Sequence, residues 1–381
     1  MIAQETAPWR TARTFPEGVP ILVDAVAGVT LRATEGADLP GMVEQCRDPE
    51  TMRWTTIPQP AGGYQLSDAR EYFGVIRAGW QDGSRLTWTV AAERDGVRQF
   101  CGAISLRVAD KRWAEIGFVL HPGARGRSRM STAVRLVRDY AFDVLRLSTL
   151  HWRARAGNWA SRRVAAAAGF VFDGSVRRLL EHQGERVDGW LATMTSDDPR
   201  TPIRWLEPVE LAGPGVRLRP FAESDVARII EACADARTRQ WLVSMPHPYG
   251  RADALNYVET TRELPARGTG VVWCIADPAN GRCIGSIGLE GLGTYAPRGE
   301  IGYWAHPDAR GRGLITQAVR LVSAYARQAG LASSIMIRCA SGNTASRHAA
   351  EAAGYRKVGV LPASEPLGDG TLADLVLYAF P

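Results

Sequence analysis

"HPDARGRGLIT", His306 to Thr316, repeats a phrase already used as "HPGARGRSRMST", His121 to Thr132. The copies stand 185 residues apart, with Gly313 in the later one where the earlier has Ser128. Each phrase lies between a strand-like run and a helical pattern. Backbone N–H groups at such a helix start have no intrahelical partner, and the helix dipole favours an anion there. Gly311 and Gly313 permit unusual dihedrals and put no Cβ between the backbone and a bound group, while Arg310 and Arg312 add charge-assisted donors. The combination suits a pyrophosphate; the plainer alternative is a strand-to-helix turn with solvated arginines.

The repetition extends outward. "EIGFVLHP" (115–122) matches "EIGYWAHP" (300–307), and "GNWASRRVAAAAGF" (157–170) matches "GNTASRHAAEAAGY" (342–355), at the same offset. "GVTLRATEGADLPGMVEQCRDPETMRW" (28–54) matches "GVRLRPFAESDVARIIEACADARTRQW" (215–241) two residues further apart, so the insertions between copies are small. The period far exceeds that of a solenoid repeat and indicates domain duplication. The stretch 195–215 holds four prolines and little periodicity. The expected division is a domain at 1–198, a linker at 199–210 and a domain at 211–381.

Each copy reads as a strand and an amphipathic helix, then "LTWTVAAE" and "CGAISLRV" or "VVWCIAD" and "CIGSIGLE", then the "EIG" strand and the Arg/Gly loop. The next helix is supported by Val319, Val322, Tyr325 and Ala326, or by Val134, Val137, Ala141 and Val144, at helical spacing. A further strand leads to an Ala-rich helix closed by Gly354 or Gly169, and strand pairs end the unit. The fold class is α/β with a mixed sheet, used twice in tandem.

The chain has 381 residues, 45% hydrophobic and 23% charged, the profile of a globular protein long enough for two cores. No apolar run reaches membrane-spanning length, and the first residues lack the pattern of a secretory signal, so a cytoplasmic location is expected. The six cysteines show no metal-ligand spacing and read as buried thiols; no metal is expected. A net charge of +6 carried almost wholly by arginine, with Lys111 and Lys357 the only lysines, is a compositional skew and weak evidence for nucleic-acid binding, which is not expected. Neither a P-loop nor a dinucleotide fingerprint is present.

With the "EIGYW" strand before it and "GNTAS…AAGY" after it, the loop resembles the GNAT acetyltransferase superfamily, and most nearly its RimJ/RimL-like branch of ribosomal-protein alanine N-acetyltransferases. The resemblance covers nearly all of both copies. It implies two GNAT folds and acetyl-CoA as cosubstrate, its pyrophosphate on Arg310, Gly311, Arg312, Gly313 and Leu314; Ile315 departs from the small residue that usually closes the motif. Asn343 then contacts the CoA arm, the competing role being a helix N-cap. Arg347 meets the outer phosphates or lies on a solvated helix face. Glu300, on the strand before the loop, is the expected base for the amine proton, with Glu290 a close competitor and Asp374 a weaker one. The tyrosine that many of these enzymes use as general acid is missing from "HAAEAA", which leaves Ser346, a water or unassisted departure of the thiolate. Tyr355 reads as core, and Tyr303 and Trp304 as lining shared between core and cleft. His306 and His121 read as turn elements.

The first copy keeps Glu115, Arg125, Arg127, Asn158 and Ser161 but departs at Ser128 and Met130. Acetyl-CoA binding there and a domain kept for substrate binding or packing both stay open. The expected activity is acetyl transfer to a primary amine, on a protein N-terminus, an antibiotic or a peptide natural product, with the second domain active. The rival from another class is a non-catalytic acyl-CoA or small-molecule sensor.

Overall fold

In a computed structural model that describes residues 14–380 except 95–96, 244 and 294–297, the chain divides into two units, Met1–Ile203 and Arg204–Pro381. The first contains β1 (Leu22–Asp24), β2 (Val29–Arg32), α1 (Leu39–Arg47), α2 (Pro49–Trp54), α3 (Leu66–Asp82), β3 (Arg85–Arg94), β4 (Val97–Val108) and β5 (Trp113–Leu120). It continues with α4 (Arg129–Asp139), β6 (Thr149–Arg155), α5 (Trp159–Ala167), β7 (Val171–His182) and β8 (Glu185–Thr195). The second contains β9 (Leu211–Gly213), β10 (Val216–Arg219), α6 (Val226–Ala234), α7 (Ala236–Trp241), α8 (Arg251–Ala266), β11 (Val271–Ala276), β12 (Cys283–Glu290) and β13 (Arg298–Ala305). It closes with α9 (Leu314–Gln328), β14 (Ser334–Ala340), α10 (Thr344–Ala352), β15 (Arg356–Pro366) and β16 (Leu372–Ala379).

Each unit is one eight-stranded sheet, ordered β1-β2-β3-β4-β5-β6-β8-β7 in the first and β9-β10-β11-β12-β13-β14-β16-β15 in the second. All neighbours are antiparallel except β5 with β6 and β13 with β14, the pairs joined through the Arg/Gly loop and a helix. Helices cover both faces because both faces are apolar. In the second unit Ile301, Ile335, Ile337 and Tyr378 pack with Val319 and Val322 of α9. On the other face Val272, Cys274 and Cys283 pack with Ile229 of α6 and Val258 of α8. Six free cysteines are all buried, and among the described residues no helix is long and apolar enough to cross a membrane.

Two details depart from the sequence pattern. The single amphipathic helix expected after the short opening strand is three helices in each unit, since Asp48 and Asp235 cap a fresh helix by accepting from Thr51 and Thr238 N–H. Val144, assigned to the buried stripe of α4, is 58% exposed. The helix widens into a π-turn at Tyr140–Val144, which rotates the last side chains out of the 3.6-residue register.

One buried ion pair recurs. Arg219 donates to both oxygens of Asp225 at 2.8 Å, and Asp225 also accepts from Ala222 N–H, fixing β10 to the start of α6. Arg32 and Asp38 repeat this in the first unit. Removing the carboxylate leaves a largely buried guanidinium uncompensated. Asp225→Ala is expected to destabilise the second unit by about 3–5 kcal/mol, read as a lowered urea midpoint; an unchanged midpoint shows that the pair is not structural.

Candidate active site

The parallel ladder is short. Arg298, Gly299 and Glu300 pair with Ser334, Ile335 and Met336, and there the pairing stops, although β13 runs on to Ala305 and β14 to Ala340. The strands splay from Glu300 onward, leaving one edge of β13 without a strand neighbour. An unpaired strand edge offers alternating N–H and C=O groups to an extended ligand that carries amides. In the first unit the ladder likewise stops at Ile116 and Trp152.

Beyond the splay lies the Arg/Gly loop. His306 accepts from Asp308 N–H through Nδ1, and its Nε2 lies 3.1 Å from Glu231. The ring is 6% exposed, a turn element as its sequence suggests. Gly311 and Gly313 have φ of +73° and +70°, the left-handed region, and no protein atom lies within 4 Å of a Cβ built on either. Gly313 is the N-cap of α9 and the first helical bond is Gln317 N–H to its carbonyl, so the N–H groups of 314–316 precede the helix ladder. Leu314 is buried in the core and anchors this turn.

Arg310 has a different place from the phosphate ligand expected of it. Its Nη2 donates to Asp235 at 2.5 Å and to Thr238 Oγ1 at 2.7 Å, tying the loop to the start of α7. The guanidinium holds Asp235 below the usual carboxylate range. Arg347 likewise donates to Tyr378 Oη and the Ser341 carbonyl, bracing the turn between β14 and α10 rather than lying solvated. Asn343 Oδ1 accepts from Ser346 N–H at 3.1 Å, the N-cap arrangement. Arg312 remains exposed on the loop.

At the mouth of the splay two carboxylates face each other: Glu290 of β12 is the cross-strand partner of Glu300 of β13. Partners in a ladder share a face, so like charges are crowded. Glu300 Oε1 accepts from Arg338 Nε at 2.8 Å, whereas burial and then the Glu300 charge push the Glu290 carboxyl above its ordinary range. The Glu290 carboxylate folds back along its strand, where Gly288 admits it: a Cβ there would lie 3.0 Å from Glu290 Oε1. Further along this face Tyr257 Oη lies 2.8 Å from Ser286 Oγ, and burial pushes that phenol up to about 12. The sequence reading put Glu300 first with Glu290 a close competitor; the fold brings the two together and adds Arg338, from a neighbouring strand with no motif to announce it. Asp374 accepts from Ala363 N–H, on another edge of the sheet.

On the opposite face, Tyr303 Oη lies 3.0 Å from Ser346 Oγ and donates to the Ser346 carbonyl, bridging β13 and α10. Tyr303 was read only as lining, although the aligned "EIGYW" and "EIGFV" mark the difference: Phe118 has no hydroxyl to offer. Tyr355 is core, its hydroxyl 2.7 Å from Ser323.

The first unit diverges at these points. Arg107, not a carboxylate, is the cross-strand partner of Glu115, and Arg107 and Arg153 each donate to one Glu115 oxygen. Ser161 Oγ accepts from Trp152 instead of meeting a phenol. Ser128 takes the N-cap place with φ of +53°, strained for a residue with a Cβ. Ser128→Gly is expected to stabilise the first unit by roughly 1 kcal/mol through relief of that strain. Thermal unfolding checks it, and an unchanged or lowered midpoint removes strain as the difference between the loops.

The description "Acetyltransferase (GNAT) domain" matches the chain twice, at residues 29–171 and 216–356. "Probable N-acetyltransferase YjcK" of Bacillus subtilis is 37% identical over 86 residues, 22% of this chain and 48% of that protein. The chain spans about half the length of the curated relatives it matches. Among solved structures, RimJ of Mycobacterium smegmatis in complex with a CoA disulfide is 22% identical at a TM-score of 0.41, covering 45% of this chain and 85% of that one. RimL, a ribosomal L7/L12 alpha-N-protein acetyltransferase in complex with coenzyme A, is 20% identical at 0.42, covering 45% and 97%.

Proposed function

Because the chain belongs to the acetyltransferase (GNAT) family, through two copies of the domain, we propose that it moves an acetyl group from acetyl-CoA to a primary amine and that the second unit carries the transfer. The observation that carries this reading is the Glu290–Glu300 pair at the point where the parallel ladder ends. An amine must lose its proton to become a nucleophile. Glu290, its carboxyl raised toward working pH by burial and by Glu300, takes that proton directly or through one water. Glu300, held by Arg338, supplies the neighbouring charge and attracts the ammonium form.

The cosubstrate lies along the open edge of β13, its amides on the strand and its pyrophosphate at the N–H groups around Gly313 and Leu314, with Arg312 as the mobile cation. Arg310 and Arg347 serve by holding the two turns, and Asn343 by capping α10. When the thioester carbon passes to the amine, the sulfur leaves as a thiolate. Ser346 returns a proton to it, and the Tyr303 hydroxyl, 3.0 Å from Ser346 Oγ, reloads the serine, solvent water restoring the phenol. The resemblance to the RimJ/RimL branch favours a protein N-terminus as the acceptor, in competition with an antibiotic or a peptide natural product.

Incubation with acetyl-CoA and an amine panel, followed by thiol release and mass spectrometry of products, tests the activity; absence of transfer with retained CoA binding would favour a sensor. Gly313→Glu places bulk and negative charge at the loop, and calorimetry is expected to register no acetyl-CoA binding to the second unit. Affinity equal to the parent would misplace the pyrophosphate.

Glu290→Gln is expected to lower the rate near neutral pH by roughly 10²–10⁴-fold with acetyl-CoA affinity unchanged. The sign of the pH dependence follows from the raised Glu290 carboxyl: activity needs it ionised, so the rate falls as pH drops through its pKa. Glu300→Gln removes the like charge and lowers that pKa, so the acidic limb of the pH–rate profile moves to lower pH. A limb that stays in place, or moves up, assigns the proton transfer elsewhere.

A further inference from the structure

The same patch of sheet carries opposite charge in the two units. In the second, Glu290 and Glu300 stand with the single guanidinium of Arg338. In the first, the matching places hold Arg107, Glu115 and Arg153, two guanidiniums around one carboxylate. Alternation along β6 puts Arg155 on the same face as Arg153, and its guanidinium lies over the ring of Trp54.

The arrangement of the triad matters more than the count. Glu115 is at the bottom, its side chain 8% exposed, while those of Arg107 and Arg153 are 47% and 38% exposed. Arg107 Nη2 takes one oxygen of Glu115 and Arg153 Nη2 takes the other, so neither arginine uses both arms of its fork on the carboxylate. A guanidinium has five N–H donors. Among the described residues the remaining donors of both forks have no protein acceptor, and both side chains are partly exposed. One negative charge under two positive ones leaves an excess that a further anion neutralises. Gly117 of β5 keeps the surface beside them bare: a Cβ there would lie 3.8 Å from Arg107 Nη2 and 3.7 Å from Ser105 Oγ.

We propose that the cleft of the first unit is a binding site for a small oxyanion, the carboxylate or phosphate of a small molecule, held between Arg107 and Arg153 with Ser105 beside them. The pair of forks matches the planar, two-oxygen edge common to both groups. An ammonium ion, the form in which an amine arrives, is repelled there. The site is independent of the transfer proposed for the second unit, since no residue in it belongs to that unit.

The test uses the full chain and two probes, succinate and inorganic phosphate, titrated by calorimetry at low salt. Saturable binding is expected in the parent and is retained when Gly313→Glu removes the contribution of the second unit's loop; in that background it is weakened at least tenfold by Arg107→Gln and by Arg153→Gln. Preference for succinate identifies a carboxylate ligand and preference for phosphate a phosphate ester. No saturable binding of either probe overturns the proposal. So does binding that survives both arginine substitutions, or phosphate binding lost only in Gly313→Glu, which belongs to the loop of the second unit. Should Arg107→Gln fail to fold, Arg107→Lys keeps the charge on Glu115 while removing the fork. Weaker binding in Arg107→Lys is expected, and parental affinity there overturns the bidentate site.

Discussion

The constraint from which the rest follows is the early end of one parallel ladder. Between β13 and β14 only three residue pairs form, and everything placed at the site stands in relation to that break. The carboxylates sit where pairing ends, the glycine loop begins where β13 runs out, and Tyr303 spans the gap to α10. Parallel pairing requires a crossover connection, here the loop and α9, so the break and the anion-accepting helix start are parts of one piece of geometry. A fully zipped ladder would close the edge that an extended ligand needs.

Much of this was legible in the sequence, because repetition made one copy a commentary on the other. The strand order around the loop, the left-handed glycines and the buried stripe of α9 follow from periodicity and glycine chemistry that are local. What was not legible depends on neighbours across the sheet. Arg338 and Arg153 lie in short strands with no motif, and only the parallel adjacency of β13 with β14, or β5 with β6, brings them to Glu300 and Glu115. Arg310 was read as a ligand from the loop motif it belongs to; its partner Asp235 lies 75 residues earlier, and no local spacing announces that pair. Val144 failed for a different reason, since a π-turn breaks the very periodicity from which its burial was inferred.

The two units keep the scaffold and differ in polar side chains. Arg219–Asp225 and Arg32–Asp38, the capping asparagines Asn343 and Asn158, and the tethers of Arg310 and Arg125 to an N-cap aspartate are common to both. At the splayed strands and the loop the copies differ in charge and hydrogen-bonding groups: Glu290 against Arg107, Tyr303 against Phe118, Gly313 against Ser128. Burial and ion pairs fix the frame, while the exposed ends of strands change charge at little cost to folding.

The tether between Arg310 and Asp235 has a kinetic consequence. A glycine-rich loop left free would have to surrender backbone entropy each time it closed on a ligand, and that loss would subtract from affinity. Here the loop is held against α7 by a charge-assisted bond and anchored by buried Leu314. Docking of an anion at this loop then approaches a rigid encounter, its speed set by diffusion and by the field of the exposed Arg312. On the proposed function the gain falls on both sides: the loop need not reorganise to admit acetyl-CoA, nor to let the spent thiol go.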